Sequence, residues 1–202
     1  MSTCLRRPRH NLIILAGGRS RRMGQLKPHL LINNKRLIDI VASRIASLFS
    51  RVIVVSKKGM PPIENYDVVY DDYDEYSPLL GILVGLKYSE SLVNFIIACD
   101  MPFVQPELVQ FLLRMAEDRD ADVVVPVNNG FYEPLCAVYS KRCIPFIEEE
   151  ISQGNLKVTS FYPKVNTVSV PEYLIRQYDA SLWSFFNINT KEDLKKALQF
   201  ID

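Results

Sequence analysis

The chain has 202 residues, 48% of them hydrophobic and 23% charged, with a net charge of +1 at pH 7. This length suits one sizeable core, and the near-zero charge gives no general reason to expect nucleic acid or a membrane surface as a partner. No apolar run reaches the roughly 18–20 residues that span a bilayer, and Cys4, Cys99, Cys136 and Cys143 show no CxxC spacing, which argues against a zinc knuckle or a disulfide framework.

Residues 1–10 carry Arg6, Arg7, Arg9 and His10 and no secretory h-region; they read as a basic, solvated tail ahead of a single domain over 11–202. A reducing cytoplasm is the expected compartment. Residues 12–15 form a continuous apolar run followed at once by Gly17 and Gly18. Residues 36–49 place Leu37, Ile40, Val41, Ile45 and Leu48 at helical spacing. Strands follow at 52–55 and 68–70, then a helix over 78–89 that starts on Pro78. Residues 95–99 form the next strand and 105–117 the next helix.

Strands at 123–125 and 135–139 flank an Asn128-Asn129-Gly130 turn, which supports a hairpin. A short helix is expected from 141 to 151 and a late strand over 165–170. A final helix over 191–200 has Thr190 as its N-cap and Asp193 at its third position. Strands alternating with helices indicate an α/β, three-layer fold with a mostly parallel central sheet. Such sheets bind ligands beyond the carboxyl ends of their strands, so the residues just after each apolar run are candidate site residues.

After the first run comes LAGGRSRRMGQLK, residues 15–27. Small residues at 16–18 let backbone N–H groups approach a phosphate or base, and Arg22 and Lys27 add cations suited to a triphosphate and a departing pyrophosphate. The loop is neither a Walker A loop nor GxGxxG. A bland alternative is a strand-to-helix turn with solvated arginines. Asp100 closes the strand over 95–99; a carboxylate there can hold Mg²⁺ or cap the turn before Pro102. Asp71 or Asp72, after the strand over 68–70, sits in an acidic run that most often means a solvated loop.

The loop resembles the LAGGxSxRMGxxK signature of the molybdopterin guanylyltransferase family, which has a Rossmann-like nucleotidyltransferase fold. Cys99-Asp100-Met101-Pro102 resembles its CDxP motif, Ser77-Pro78-Leu79-Leu80-Gly81-Ile82 its GPLxGI segment, residues 132–139 its PLxAVY strand and residues 185–194 its FxNxNTPEDL close, with Lys191 in place of proline. The resemblance implies that Leu15, Ala16, Gly17 and Gly18 lie against the nucleotide, that Arg22 and Lys27 contact its phosphates, and that Asp100 holds Mg²⁺. It gives Asp71 a share in nucleotide binding, and gives Asn187, Asn189 and Lys157 to molybdopterin. Related cytidylyltransferases read LAAG, so Gly18 after Gly17 favours guanine.

Asn187 and Asn189 alternate with Ile188 as on a strand and would share one face; they equally suit a loop fixed before a helix. Family members often carry a polar residue, commonly Asn, after the strand over 52–55; this sequence has Ser56-Lys57-Lys58 there, and no base-reading role is assigned. His10 and His29 have no partner suggesting a triad or metal site.

The implied activity is GMP transfer from GTP to molybdopterin, with release of pyrophosphate. Transient contact with cofactor-biosynthesis proteins or molybdoenzymes is expected, and no contact with nucleic acid or membrane. Two alternatives stand beside it: a cytidylyltransferase on molybdopterin or another phosphorylated small molecule, and a non-catalytic nucleotide-binding delivery protein.

Overall fold

The computed structural model describes residues 9–17 and 27–200. Gly18 and Arg22, assigned above to the nucleotide, lie outside the described residues, as does Cys4. A run as apolar as residues 12–15 belongs where both faces are covered. It forms most of strand β1 (Asn11–Leu15). A two-residue pair, β2 (Leu31–Ile32) and β3 (Lys35–Arg36), leads into helix α1 (Leu37–Ile45). Strand β4 (Arg51–Lys57) runs parallel to β1, and β5 (Asp67–Asp71) runs parallel to β4. Helix α2 (Pro78–Tyr88) then leads to β6 (Val93–Ala98), which is parallel to β1 on its other side.

Helix α3 (Pro106–Asp118) leads to β7 (Val123–Asn128). The expected turn follows: Asn129 and Gly130 have φ of 49° and 81°, the two positive angles of a tight hairpin turn. It joins β7 to β8 (Phe131–Tyr132), and β9 (Cys136–Ser140) then pairs antiparallel with both β7 and β6. After α4 (Ile144–Ser152) the edge strand β10 (Thr167–Val170) runs parallel to β7, followed by short α5 (Glu172–Ile175) and by α6 (Lys191–Ala197). The sheet order is β10-β7-β9-β6-β1-β4-β5. Every strand on that path except β9 points the same way, so the sheet is mostly parallel.

Alternation along β1 divides the core. Leu12 and Ile14 pack with Ile38 and Val41 of α1 and Leu108 and Leu112 of α3. Ile13 packs on the other face with Leu79, Ile82 and Leu86 of α2 and Ile147 of α4. These are the three layers expected. A third cluster joins Leu30, Ile32 and Leu37 to Phe103, Ile188 and Ala197, which fastens the C-terminal segment to the β2–β3 pair and the start of α1.

A helix boundary is corrected and an alternative left open is decided. The helix read over 36–49 ends at Ile45, where a 3-10 turn takes over. Residues 186–189 form no strand; a single backbone bond, Ile188 N–H to Asp100 O at 2.9 Å, fastens them to the sheet's end. The β2–β3 pair was not foreseen, because two residues per strand leave no periodicity to read.

Candidate functional site

The carboxyl ends of β1, β4, β5 and β6 open together on a cavity of about 530 Å³. Leu15 and Gly17 reach it from β1, Ser56 and Lys57 from β4, and Asp71 from β5. Cys99 and Asp100 reach it from β6, while Tyr76, Ser77 and Pro78 bring in the start of α2. Ser77 caps that helix by accepting the Leu79 N–H at 3.1 Å, and its hydroxyl donates to Leu156 O at 2.9 Å.

Lys27, Asp100 and Asn189 meet at one point. The Lys27 ammonium donates to one oxygen of Asp100 and to Asn189 Oδ1, the latter at 2.5 Å. The other oxygen, Asp100 Oδ1, is buried and has no hydrogen-bond partner among the described residues. A buried carboxylate oxygen without a donor is costly, and a divalent cation is a ligand that removes the cost. No three His, Cys, Asp or Glu side chains cluster as a metal cage among the described residues. A cation at Asp100 would complete its shell with substrate oxygens and water, as Mg²⁺ does.

Asn189 is held by the cap of α6. Its N–H and that of Thr190 both donate to Asp193 Oδ2, at 3.0 and 2.8 Å, and Thr190 Oγ1 accepts the Asp193 N–H at 3.1 Å. Thr190 and Asp193 thus form a full capping box, and it presents an amide to Lys27. Asn187 also lines the cavity, with its Nδ2 donating to Phe185 O at 3.0 Å.

Gly17 is open to a ligand for a reason that internal packing does not supply. A Cβ there would meet only ordinary contacts, 3.6 Å from Lys57 N and 3.8 Å from Lys57 Cβ. Among the described residues nothing makes a steric demand for glycine, and the space suits close approach by a ligand's phosphate or base. Ala16 turns the other way: it is 1% exposed and packs in the core with Val41. Lys157 is exposed and stands outside the cavity lining, next to the Leu156 carbonyl that receives Ser77.

Burial pushes the thiols of Cys99, Cys136 and Cys143 well up, so each serves as a small apolar side chain. His10 is more than a tail residue: its Nε2 lies 3.1 Å from Glu117, and its carbonyl accepts the Ser50 N–H. Sequence reasoning named Ser77 only within the segment that resembles GPLxGI, assigned no role at Lys57 and did not single out Tyr76. Ser-Pro ahead of an apolar helix was a usable signal for Ser77, whereas nothing local marks Lys57.

Residues 12–165 match the MobA-like NTP transferase domain. The molybdenum cofactor guanylyltransferase of Desulfosudis oleivorans is 37% identical over 187 residues, covering 92% of this chain and 92% of that protein. The crystal structure of molybdopterin-guanine dinucleotide biosynthesis protein A from Archaeoglobus fulgidus has a TM-score of 0.80 at 29% identity, covering 94% of this chain and 97% of that one. The 2-C-methyl-D-erythritol 4-phosphate cytidylyltransferase from Thermus thermophilus shares the fold, with a TM-score of 0.69 at 15% identity, covering 94% of this chain and 97% of that one.

Proposed function

The chain belongs to the MobA-like NTP transferase family, and from that premise we propose that it transfers GMP from GTP to molybdopterin, forming the guanine dinucleotide cofactor. One observation carries the reading: Lys27, Asp100 and Asn189 converge beside a cavity into which Gly17 and Asp71 also open. A cation, a carboxylate with a spare buried oxygen and a bare backbone approach together suit a triphosphate.

GTP lies against Leu15 and Gly17, with its phosphates toward Lys27. Gly18 and Arg22 keep the nucleotide and phosphate roles that the signature gives them. The terminal phosphate oxygen of molybdopterin bonds to the α-phosphorus while the bond from that phosphorus to the α–β bridging oxygen breaks. Pyrophosphate leaves with the electron pair. Lys27 offsets the charge that gathers on the leaving phosphates, and Asn189 holds Lys27 in place. Asn187, Asn189 and Lys157 face the molybdopterin side. Asp100 would hold Mg²⁺, which when bound supplies Lewis-acid stabilisation of phosphate charge. Transfers of this kind need positioning and charge more than a protein nucleophile.

Guanine is favoured over cytosine by the Gly17-Gly18 pair and by the name of the 37% identical relative. We place the protein in the cytoplasm, with cofactor-biosynthesis proteins or molybdoenzymes as transient partners. No helix among the described residues is long and apolar enough to cross a membrane.

The test is incubation with GTP, Mg²⁺ and molybdopterin, with pyrophosphate as the readout, alongside calorimetric titration with GTP and CTP. Pyrophosphate release with GTP, lost in Asp100→Ala, is expected. Tighter binding of CTP overturns the guanine assignment, and GTP binding without release in the wild type leaves a nucleotide-binding protein instead of an enzyme.

A further inference from the structure

A lysine is almost never fully buried unless it is paired, yet Lys57 is only 5% exposed. It is the last residue of β4, and the parallel register sets it directly opposite Asp71, the last residue of β5. Its ammonium has three protons to give. It donates to the carbonyls of Tyr73 and Glu75, the latter at 2.7 Å, and lies 3.2 Å from Asp71 Oδ2. The ring centroid of Tyr76 is 5.0 Å from the same nitrogen. Two of its protons go to backbone carbonyls and the ammonium pairs with Asp71, so this side chain is committed to the protein's own acceptors.

What it holds is the segment from β5 to α2. That segment carries Asp71, Asp72, Asp74 and Glu75, and such a string of carboxylates would by itself repel both its own parts and an incoming triphosphate. One buried cation draws it back against the sheet. Asp71 is fixed at both oxygens, since its Oδ1 accepts the Tyr73 N–H at 3.0 Å. Each of those oxygens retains a second lone pair. Asp71 and Tyr76 both line the cavity, and the backbone of Lys57 itself lies under Gly17.

We infer that Lys57 is a positioning residue for base selection: it sets the Asp71 carboxylate and the Tyr76 ring as one rigid wall of the cavity. A fixed carboxylate accepts from two adjacent N–H donors, which guanine offers at N1 and its 2-amino group. Cytosine offers one amino group beside two acceptors, and those acceptors face the carboxylate unfavourably. A planar base can also lie on the half-exposed Tyr76 ring. This inference rests on the guanylyltransferase reading and extends it to how the base is chosen.

The experiment compares the full-length wild type with Lys57→Met and Lys57→Arg, measuring GTP and CTP affinity, kcat, KM and melting temperature. Lys57→Met is expected to weaken GTP about tenfold or more and to lower the GTP-to-CTP preference by a similar factor, because a misplaced acceptor loses its discrimination. Its kcat at saturating GTP is expected to stay within about threefold of the wild type, since Lys27 and Asp100 are untouched. Lys57→Arg keeps the charge but not the three-way geometry, and is expected to fall between the two with at least a roughly threefold loss of preference.

A role confined to stability would lower the melting temperature and leave the preference of the folded protein unchanged, and that outcome overturns the inference. If Lys57→Met does not fold, the Lys57→Arg preference decides, and an unaltered value overturns it. Wild type that binds no GTP defeats the guanylyltransferase reading along with this one. Wild type that selects GTP, with variants that select it equally well, defeats the role of Lys57 alone.

Discussion

Lys27 and Asp100, 73 residues apart in the chain, form an ion pair while the second oxygen of the same carboxylate is buried without a partner among the described residues. The lysine stands at the carboxylate proposed to hold a divalent cation, and like charges compete for one carboxylate. On the proposed reading, a triphosphate that attracts Lys27 releases Asp100 as it arrives. Nucleotide and cation are therefore expected to bind together, each raising the affinity of the other.

Lys27→Met tests this directly. Mn²⁺ alone, titrated by electron paramagnetic resonance, is expected to bind the variant about tenfold more tightly than the wild type, because a competing charge within a few ångströms is gone. Turnover is expected to fall roughly 100- to 1000-fold, the usual cost of losing a preorganised charge at a reacting phosphate. Unchanged Mn²⁺ affinity would show that Lys27 does not guard the site.

Asp193→Ala removes the carboxylate that accepts the Asn189 and Thr190 N–H groups at the cap of α6. Losing such a cap costs about 1 kcal/mol, which lowers the melting temperature by roughly 2–4 °C in a chain of this size. The more informative readout is kinetic: the KM for molybdopterin is expected to rise more than that for GTP, because Asn189 and Thr190 share the Asp193 carboxylate. Equal changes in both would separate the cap from the second substrate.

Gly85 lies where α2 crosses the sheet. A Cβ there would come within 2.7 Å of Ile13 Cγ2 and 3.1 Å of Val55 Cγ2, closer than packed atoms tolerate. Gly85→Ala is expected to destabilise by about 1–3 kcal/mol through overpacking, seen as a lower midpoint in urea. An unaltered midpoint would mean that the helix shifts away at no cost.

Asp39 offers a pH test. Burial pushes its carboxyl up, but this is outweighed by the Arg36 guanidinium at 2.7 and 2.9 Å and the Tyr66 hydroxyl at 2.8 Å, so its pKa lies below the usual 3.8. A carboxylate with a depressed folded pKa contributes fully above the unfolded value, and its contribution drains away as pH falls through the folded one. Asp39→Asn is expected to lower the melting temperature at pH 7, with the gap to the wild type closing as pH falls through the depressed folded pKa. Parallel melting curves down to acid pH would remove Asp39 from the account of acid stability.

Local pattern carried much of this protein. The apolar residues 12–15, the glycine after them, the proline at the start of α2 and the Thr190–Asp193 cap each act over a few residues, where spacing alone states the physics. Asp100 was singled out by its place at a strand end, where a carboxylate can hold a cation or cap a turn, and the likeness to the CDxP motif is what gave it the metal role. The layer architecture followed from alternation, and the family signature supplied the chemistry expected of the loop.

The partners of those residues were decided elsewhere. Lys57 became a buried cation only because β4 and β5 pair in the register that sets it beside Asp71. Lys27, Asp100 and Asn189 meet across as many as 162 positions of chain, and Ala16 left the cavity wall because alternation after β1 turned it inward. Strand order, register and the docking of α6 set these contacts. They arise from the packing of whole faces against one another, which no window along the chain contains.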